Sequence, residues 1–195
     1  MPRLVGNVKK RRIRAAGGSH VVEFAAGLCL LVAFILLPLI DLVVVPVRWM
    51  LAQELINDYT RKLAVSETFS EAFKRLDADP SLRTRLQRLG GVDINAVQLK
   101  MHISQVTQDR AAGSEYICDA PRNIQAAWLP DGANSPCSYS LELLVNAAIS
   151  PAITFRLGDM SVPGVTKPIP IVIQASHLWG NLSRNPSTGN FFVNE

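Results

Sequence analysis

The chain has 195 residues, of which 48% are hydrophobic and 18% charged, and its formal net charge is +4. Residues 1–18 hold six cations and no acid, so the remainder carries a net −2, and the basic balance gives no ground for a nucleic-acid partner. At this length one folded domain beside a membrane segment is the default, and neither internal repeats nor low-complexity tracts interrupt it.

The six cations are Arg3, Lys9, Lys10, Arg11, Arg12 and Arg14. An apolar run follows from Val21 to about Val47, with Glu23 as its only charged residue before Leu37. A helix needs about 20 such residues to cross a bilayer. Inside a helix every backbone group is satisfied without water. Cations beside a first membrane helix stay on the cytoplasmic side, which places the N-terminus inside and the rest of the chain outside. A cleaved secretory signal expects a core of about 7–15 residues and a small-residue cut site. The stretch Pro38–Pro46 has no such site, so the segment reads as a retained anchor. Pro38, Asp41 and Pro46 mark its expected outer end, with Asp41 at or just beyond the headgroups.

Glu23 taken alone fits an interfacial carboxylate that snorkels to the headgroups. Its setting is more specific: a basic leader, Gly18, four residues, then Val22-Glu23-Phe24 opening an apolar helix. This combination resembles the processing site of type IV prepilins and pseudopilins, and most of all that of the TadE-like proteins of the tight-adherence (Tad) pilus. The motif-bearing part is roughly the first quarter of the chain. The resemblance implies a prepilin peptidase that cuts between Gly18 and Ser19 on the cytoplasmic side. It implies a single-pass inner-membrane minor pilin or pseudopilin with a periplasmic or extracellular C-terminal domain, associated with a pilus. Its implied partners are that peptidase, other pilins and inner-membrane platform proteins, in a homo- or hetero-oligomeric assembly. The cut leaves an α-amine on Ser19 with a reference pKa near 8. Glu23, four residues on, shares its helix face. Opposite charges about 4 Å apart at an effective dielectric near 20 attract by roughly 4 kcal/mol before desolvation is subtracted. Glu23 then pairs either with its own amine or with a neighbour's. The alternative is an uncleaved single-pass envelope protein whose external α+β domain binds a ligand or scaffolds a complex.

The division expected is a basic leader at 1–18, a transmembrane helix at 19–47, an amphipathic helical region at 48–90 and an external β domain at 91–195. Leu51, Leu55, Tyr59 and Leu63 recur every four residues with Ile56 alongside, as in a helix with one apolar face. That face either packs on the protein's own sheet or forms a stalk against sister subunits. Thr68-Phe69-Ser70-Glu71 reads as a capping box. A further short helix is framed by Asp79-Pro80 and Gly90-Gly91, with a stripe of Leu82, Leu86 and Leu89. The period then changes to two. Strands are expected over Val97–Ile103, Cys137–Val145 and Ile169–Ala175, with a fourth over Ile124–Leu129 and turns at Pro130-Asp131-Gly132 and Val162–Pro168. Residues 180–195 read as loosely held. The fold class is therefore α+β: a transmembrane helix continuing into an amphipathic helical stalk, then an antiparallel sheet, as in a pilin.

Cys29 falls in the membrane helix as a small apolar residue. Cys118 and Cys137 flank a Pro- and Gly-rich loop in a compartment that permits disulfides, and a bridge between them is expected, worth roughly 3 kcal/mol. No nucleophile, metal or phosphate motif occurs. His102 and His177 are the one pair that neighbouring strands would bring together. No cofactor, metal or catalytic residue is expected.

Overall fold

A computed structural model describes residues 19–106, 113–153, 163–164 and 166–195. The leader expected at 1–18, Gly18 included, lies outside the described residues, as do Val162 and Val165 of the expected 162–168 turn. The chain forms two compact units, one through Ile40 and one from Asp41 onward.

The first unit is helical: α1 (Ser19–Leu31), a π-helical turn (Val32–Leu36) and the start of α2 (Leu37–Ala64). The π turn has a local cause. Pro38 has no N–H to give the carbonyl of Phe34 and its ring crowds that carbonyl, while the Leu37 N–H reaches back five residues to the Val32 oxygen. Local widening of this kind lets proline sit in a helix surrounded by lipid. Large side chains are exposed all round this unit, Phe24 at 72% and Phe34 at 63% among them. A helix apolar on every side calls for an apolar solvent. Among the described residues one helix, His20–Ala64, is long and apolar enough to cross a membrane. Pro38, Asp41 and Pro46 do not end it, because α2 continues through all three.

In the second unit the rest of α2 lies over a four-stranded antiparallel sheet. Ala52, Ile56, Tyr59, Thr60 and Leu63 form its buried line, whereas Leu51 from the expected stripe is 49% exposed. The stripe thus packs on the protein's own sheet, turned by about one residue from the simple four-residue series. Next comes α3 (Phe69–Ala78), capped by Thr68, whose hydroxyl accepts from the Glu71 N–H at 3.1 Å. Glu71 reaches back one residue further than the standard box and accepts from the Glu67 N–H at 2.9 Å. That bond, followed by the Arg75 guanidinium, holds the Glu71 carboxyl below its usual range. Helix α4 (Ser81–Arg88) starts where Asp79 accepts from the Ser81 N–H and hydroxyl, and it buries Leu82 and Leu86. It stops at Gly90 and Gly91, both at positive φ.

The strands are β1 (Val92–Gln105), β2 (Glu115–Cys118), β3 (Cys137–Ile149) and β4 (Ile169–Leu178), in the spatial order β2-β1-β3-β4. Period-two patterning is realised across the sheet: Leu99, Leu143 and Ala175 share one register row on the buried face, and Val145 lies opposite Ile173. The helices cover that face, and the other is open. The fourth strand is Glu115–Cys118 and not Ile124–Leu129, where the chain makes a 3-10 turn at Ala126–Trp128 beneath the buried Trp128. Nor is the end of the chain loose. Trp179, Phe191 and Val193 are buried, Trp179 meets Phe69 edge-on at 6.5 Å, and the Ser70 N–H donates to the Glu195 carbonyl at 2.7 Å.

The expected Cys118–Cys137 bridge is not formed; both are free thiols. Register explains this. Cys118 pairs with Met101 on one side of β1, and Cys137 pairs with Gln105 on the other. They are separated by two strand spacings across the sheet and four residues along it, roughly 10 Å by 13 Å. A bridge requires Cα atoms within about 7 Å. Each thiol instead donates to a nearby carbonyl, Cys118 to Ala120 at 3.0 Å and Cys137 to Asn134 at 3.2 Å, and burial pushes both upward in pKa. Alkylation after denaturation without reductant is therefore expected to add three labels, one for each cysteine, as read by intact mass.

Tyr59 on α2 donates to Asp79 ahead of α4, at 3.4 Å. Desolvation, reinforced by the Asp79 charge, pushes the Tyr59 phenol up to about 12. Burial raises Tyr139 as well, and its hydroxyl donates to the Trp128 carbonyl at 2.8 Å. A folded value above the unfolded one, about 10, means that the stabilisation is complete below pH 10 and lost as pH rises toward 12. Phenolate absorbance and loss of near-UV circular dichroism are expected to rise together across that window. Tyr59→Phe is expected to flatten the dependence.

Candidate functional site

Of the residues singled out around the expected cut site, Ser19, Glu23 and Phe24 fall on α1, and Gly18 lies outside the described residues. Ser19 is already helical, and Glu23 and Phe24 follow within its first turn and a half. The Glu23 carboxylate is 69% exposed and lies 3.7 Å from His20 Nδ1, one turn back. Phe24 projects outward. The structure thus keeps Ser19, Glu23 and Phe24 on one short helical stretch. Glu23 stands four residues past Ser19, the spacing that brings a first-residue amine and a carboxylate onto one face.

A second polar feature, at the opening of the other unit, was not foreseen. Asp41, expected among the headgroups, is 2% exposed. Its Oδ1 accepts from the Ala152 N–H at 2.7 Å and the Ile153 N–H at 3.2 Å, just beyond the end of β3. Two turns on and on the same face, Arg48 Nη1 donates to the Ser150 carbonyl at 2.5 Å. The Ser150 N–H donates to the Gly91 carbonyl at 2.7 Å. A β-carbon at Gly91 would come within 2.6 Å of Arg48 Nη1, so the guanidinium would have to shift, and the φ of +70° favours glycine there in any case. The helix therefore grips the exit of β3 and the entry of β1 with one acid and one base. The available signal was the seven-residue spacing of Asp41 and Arg48 in an otherwise apolar stretch.

His102 and His177, which neighbouring strands could have brought together, do not meet. His102 is on the open face of β1, 3.3 Å from Glu115, while His177 is on the covered face of β4, two strands away. Among the described residues no group of three metal-ligating side chains is brought together.

No protein-family model, curated protein or solved structure matches this chain. The functional reading therefore rests on the residues and their geometry.

Apolar side chains remain exposed on α2 well past Asp41: Val43 at 58%, Val47 at 48% and Met50 at 63%. Val21–Ile40 alone, at 1.5 Å per residue, spans roughly 30 Å and fills the hydrocarbon thickness of a bilayer. The apolar surface from Leu42 to Leu51 is in excess of that span, and it sits on the face of α2 that the sheet leaves bare.

Asp41→Ala is expected to strand the Ala152 and Ile153 N–H groups and to cost about 1–3 kcal/mol. Asp41→Asn keeps the acceptor and is expected to cost less. Hydrogen exchange at those two amides, measured on the full chain in nanodiscs, reads the difference directly.

Proposed function

We propose that this chain is a TadE-like minor pilin or pseudopilin, cut by a prepilin peptidase after Gly18, anchored in the inner membrane by α1 and assembled into or beneath a Tad-type pilus. The observation that carries the reading is the placement of Glu23. A peptidase cut at the Gly18–Ser19 bond yields a chain whose first residue is helical and whose one anchor carboxylate stands a single turn away. A new α-amine, from the same chain or from a neighbour, adds a positive charge one turn from this carboxylate, which His20 already faces. The surplus apolar face of α2 supports the same reading, since lipid covers about 20 helical residues and a packed assembly of helices covers more. The N-terminus is then cytoplasmic, the sheet domain lies on the far side of the membrane, and the partners are the peptidase, sister pilins and the platform proteins of the inner membrane.

Intact mass and N-terminal sequencing of membrane-extracted protein, with and without a co-expressed prepilin peptidase, test this. A mature chain beginning at Ser19 only when the peptidase is present is the expected result. A chain still beginning at Met1 with active peptidase sinks the reading in favour of an uncleaved anchored envelope protein. Glu23→Ala is expected to leave insertion intact and to reduce assembly or piliation; unchanged assembly removes the main support.

A further inference from the structure

The C-terminal segment builds a cleft that the anchor and its assembly role leave unused. Residues 183–192 form a tight hairpin: Asn185 N–H donates to the Asn190 carbonyl at 2.7 Å, Phe192 N–H to the Ser183 carbonyl at 3.0 Å, and Gly189 turns at φ +75°. Asn185 Oδ1 accepts from the Ser187 N–H inside the turn. The Glu195 carboxylate accepts from the Asn185 amide at 2.7 Å and from the Thr188 hydroxyl, which secures the tip. Facing the hairpin is the turn after Trp128, closed by Gly132 N–H to the Leu129 carbonyl at 2.8 Å and Asn134 N–H to the Ala127 carbonyl at 3.0 Å. Here a β-carbon at residue 132 would lie 2.3 Å from the Ala126 carbonyl oxygen, so the wall is backbone packed on backbone. Between the two lies a cleft of about 370 Å³, within the range of small-ligand sites.

Its chemistry is mixed and close to neutral. Arg184 stacks over the Phe191 ring at 4.2 Å, donates to the Gly189 carbonyl at 2.9 Å and pairs with Asp131 Oδ2 across the cleft. That ion pair cancels the guanidinium charge, so the cleft has no net attraction for an anion. Three planar polar groups on its lining remain uncommitted among the described residues: Asp131 Oδ1, the Asn190 amide and the Asn194 Nδ2, whose Oδ1 already accepts from the Ile124 N–H at 3.0 Å. Leu129 and Phe191 supply apolar surface beside them. Carboxylate and amide groups offer acceptors and donors at fixed angles, which suits adjacent hydroxyls, and the apolar patch suits ring C–H groups. Both walls are held by their own hydrogen bonds, so little ordering is needed on binding.

We propose that this cleft is a binding site for a neutral saccharide unit. The site is built from residues 126–132 and 184–194 alone, and its success or failure leaves the assembly reading untouched. The full-length chain in nanodiscs, free of glycosidic detergent, is titrated with N-acetylglucosamine, galactose and mannose by saturation-transfer NMR, with glucuronate as the anionic comparison. Saturable binding of at least one neutral sugar is expected. Affinity should fall about tenfold or more in Asn190→Ala, whose amide holds nothing in the fold. Ala126→Trp, which fills the cleft from the opposite wall, should abolish it. Unchanged thermal unfolding of both variants shows that they are folded. Absence of saturable binding to all three sugars overturns the proposal, as does binding that survives both substitutions or a preference for glucuronate.

Discussion

One helix, from His20 to Ala64, has to serve two solvents, and the structure depends on how it does so. From Phe24 through Ile40 its side chains are apolar on every side. From Ala52 only one side is buried, against the protein's own core. Asp41 is the first polar group of the second stretch. Buried as it is, this carboxylate has its Oδ1 reached by two backbone N–H groups, while Oδ2 is buried with no hydrogen-bond partner among the described residues. Those N–H groups lie just beyond the end of β3, so the bonds to one acid also tie the sheet to the helix. Arg48 repeats the tie at Ser150, and the bare α-carbon of Gly91 makes room for it.

The core follows from that tie. With the end of β3 held at Asp41 and Arg48, the buried rows of the sheet face the Ala52, Ile56, Tyr59 and Leu63 line of α2. Helices α3 and α4 fill the remaining cover. The last residues close the far side through Trp179 on Phe69 and Val193 in the core. Large buried side chains such as Phe69 are each worth about 3–5 kcal/mol by the cost of truncation to alanine. Among the described residues β4 is an edge strand, and Gln53 on α2 donates to its Gln174 carbonyl at 2.8 Å, taking one acceptor out of reach of another strand.

Two jobs are thereby separated. The helical stretch with Glu23 near its start and bare apolar flanks further on is long and apolar enough to cross a membrane. The sheet domain is closed by its own C-terminal segment, and that segment also shapes a small cleft lined by the Arg184–Asp131 ion pair. Nothing in the cleft requires the helix to be assembled, and nothing in the helix requires the cleft to be filled.

The elements legible in the residues were those with local causes. An apolar run longer than a bilayer is thick, a Thr68 cap, the paired glycines that end α4 and period-two strands all act within a few residues and appear where the pattern placed them, while the Asp79-Pro80 start is shifted by one residue, with Pro80 at the cap and Ser81 first in the helix. The short β2 strand escaped because four residues carry too little periodicity to be seen; it exists by virtue of pairing with β1. The free thiols had the same origin. Composition and compartment favoured a bridge, but register across β1 set Cys118 and Cys137 too far apart, and register is a property of the assembled sheet. Asp41 makes the contrast sharpest. By itself the sequence determined that an acid interrupts an apolar helix. Only the tertiary structure decided that its partners lie over 100 residues away, because hydrogen bonds between distant segments depend on where the chain returns and not on what surrounds the residue in line.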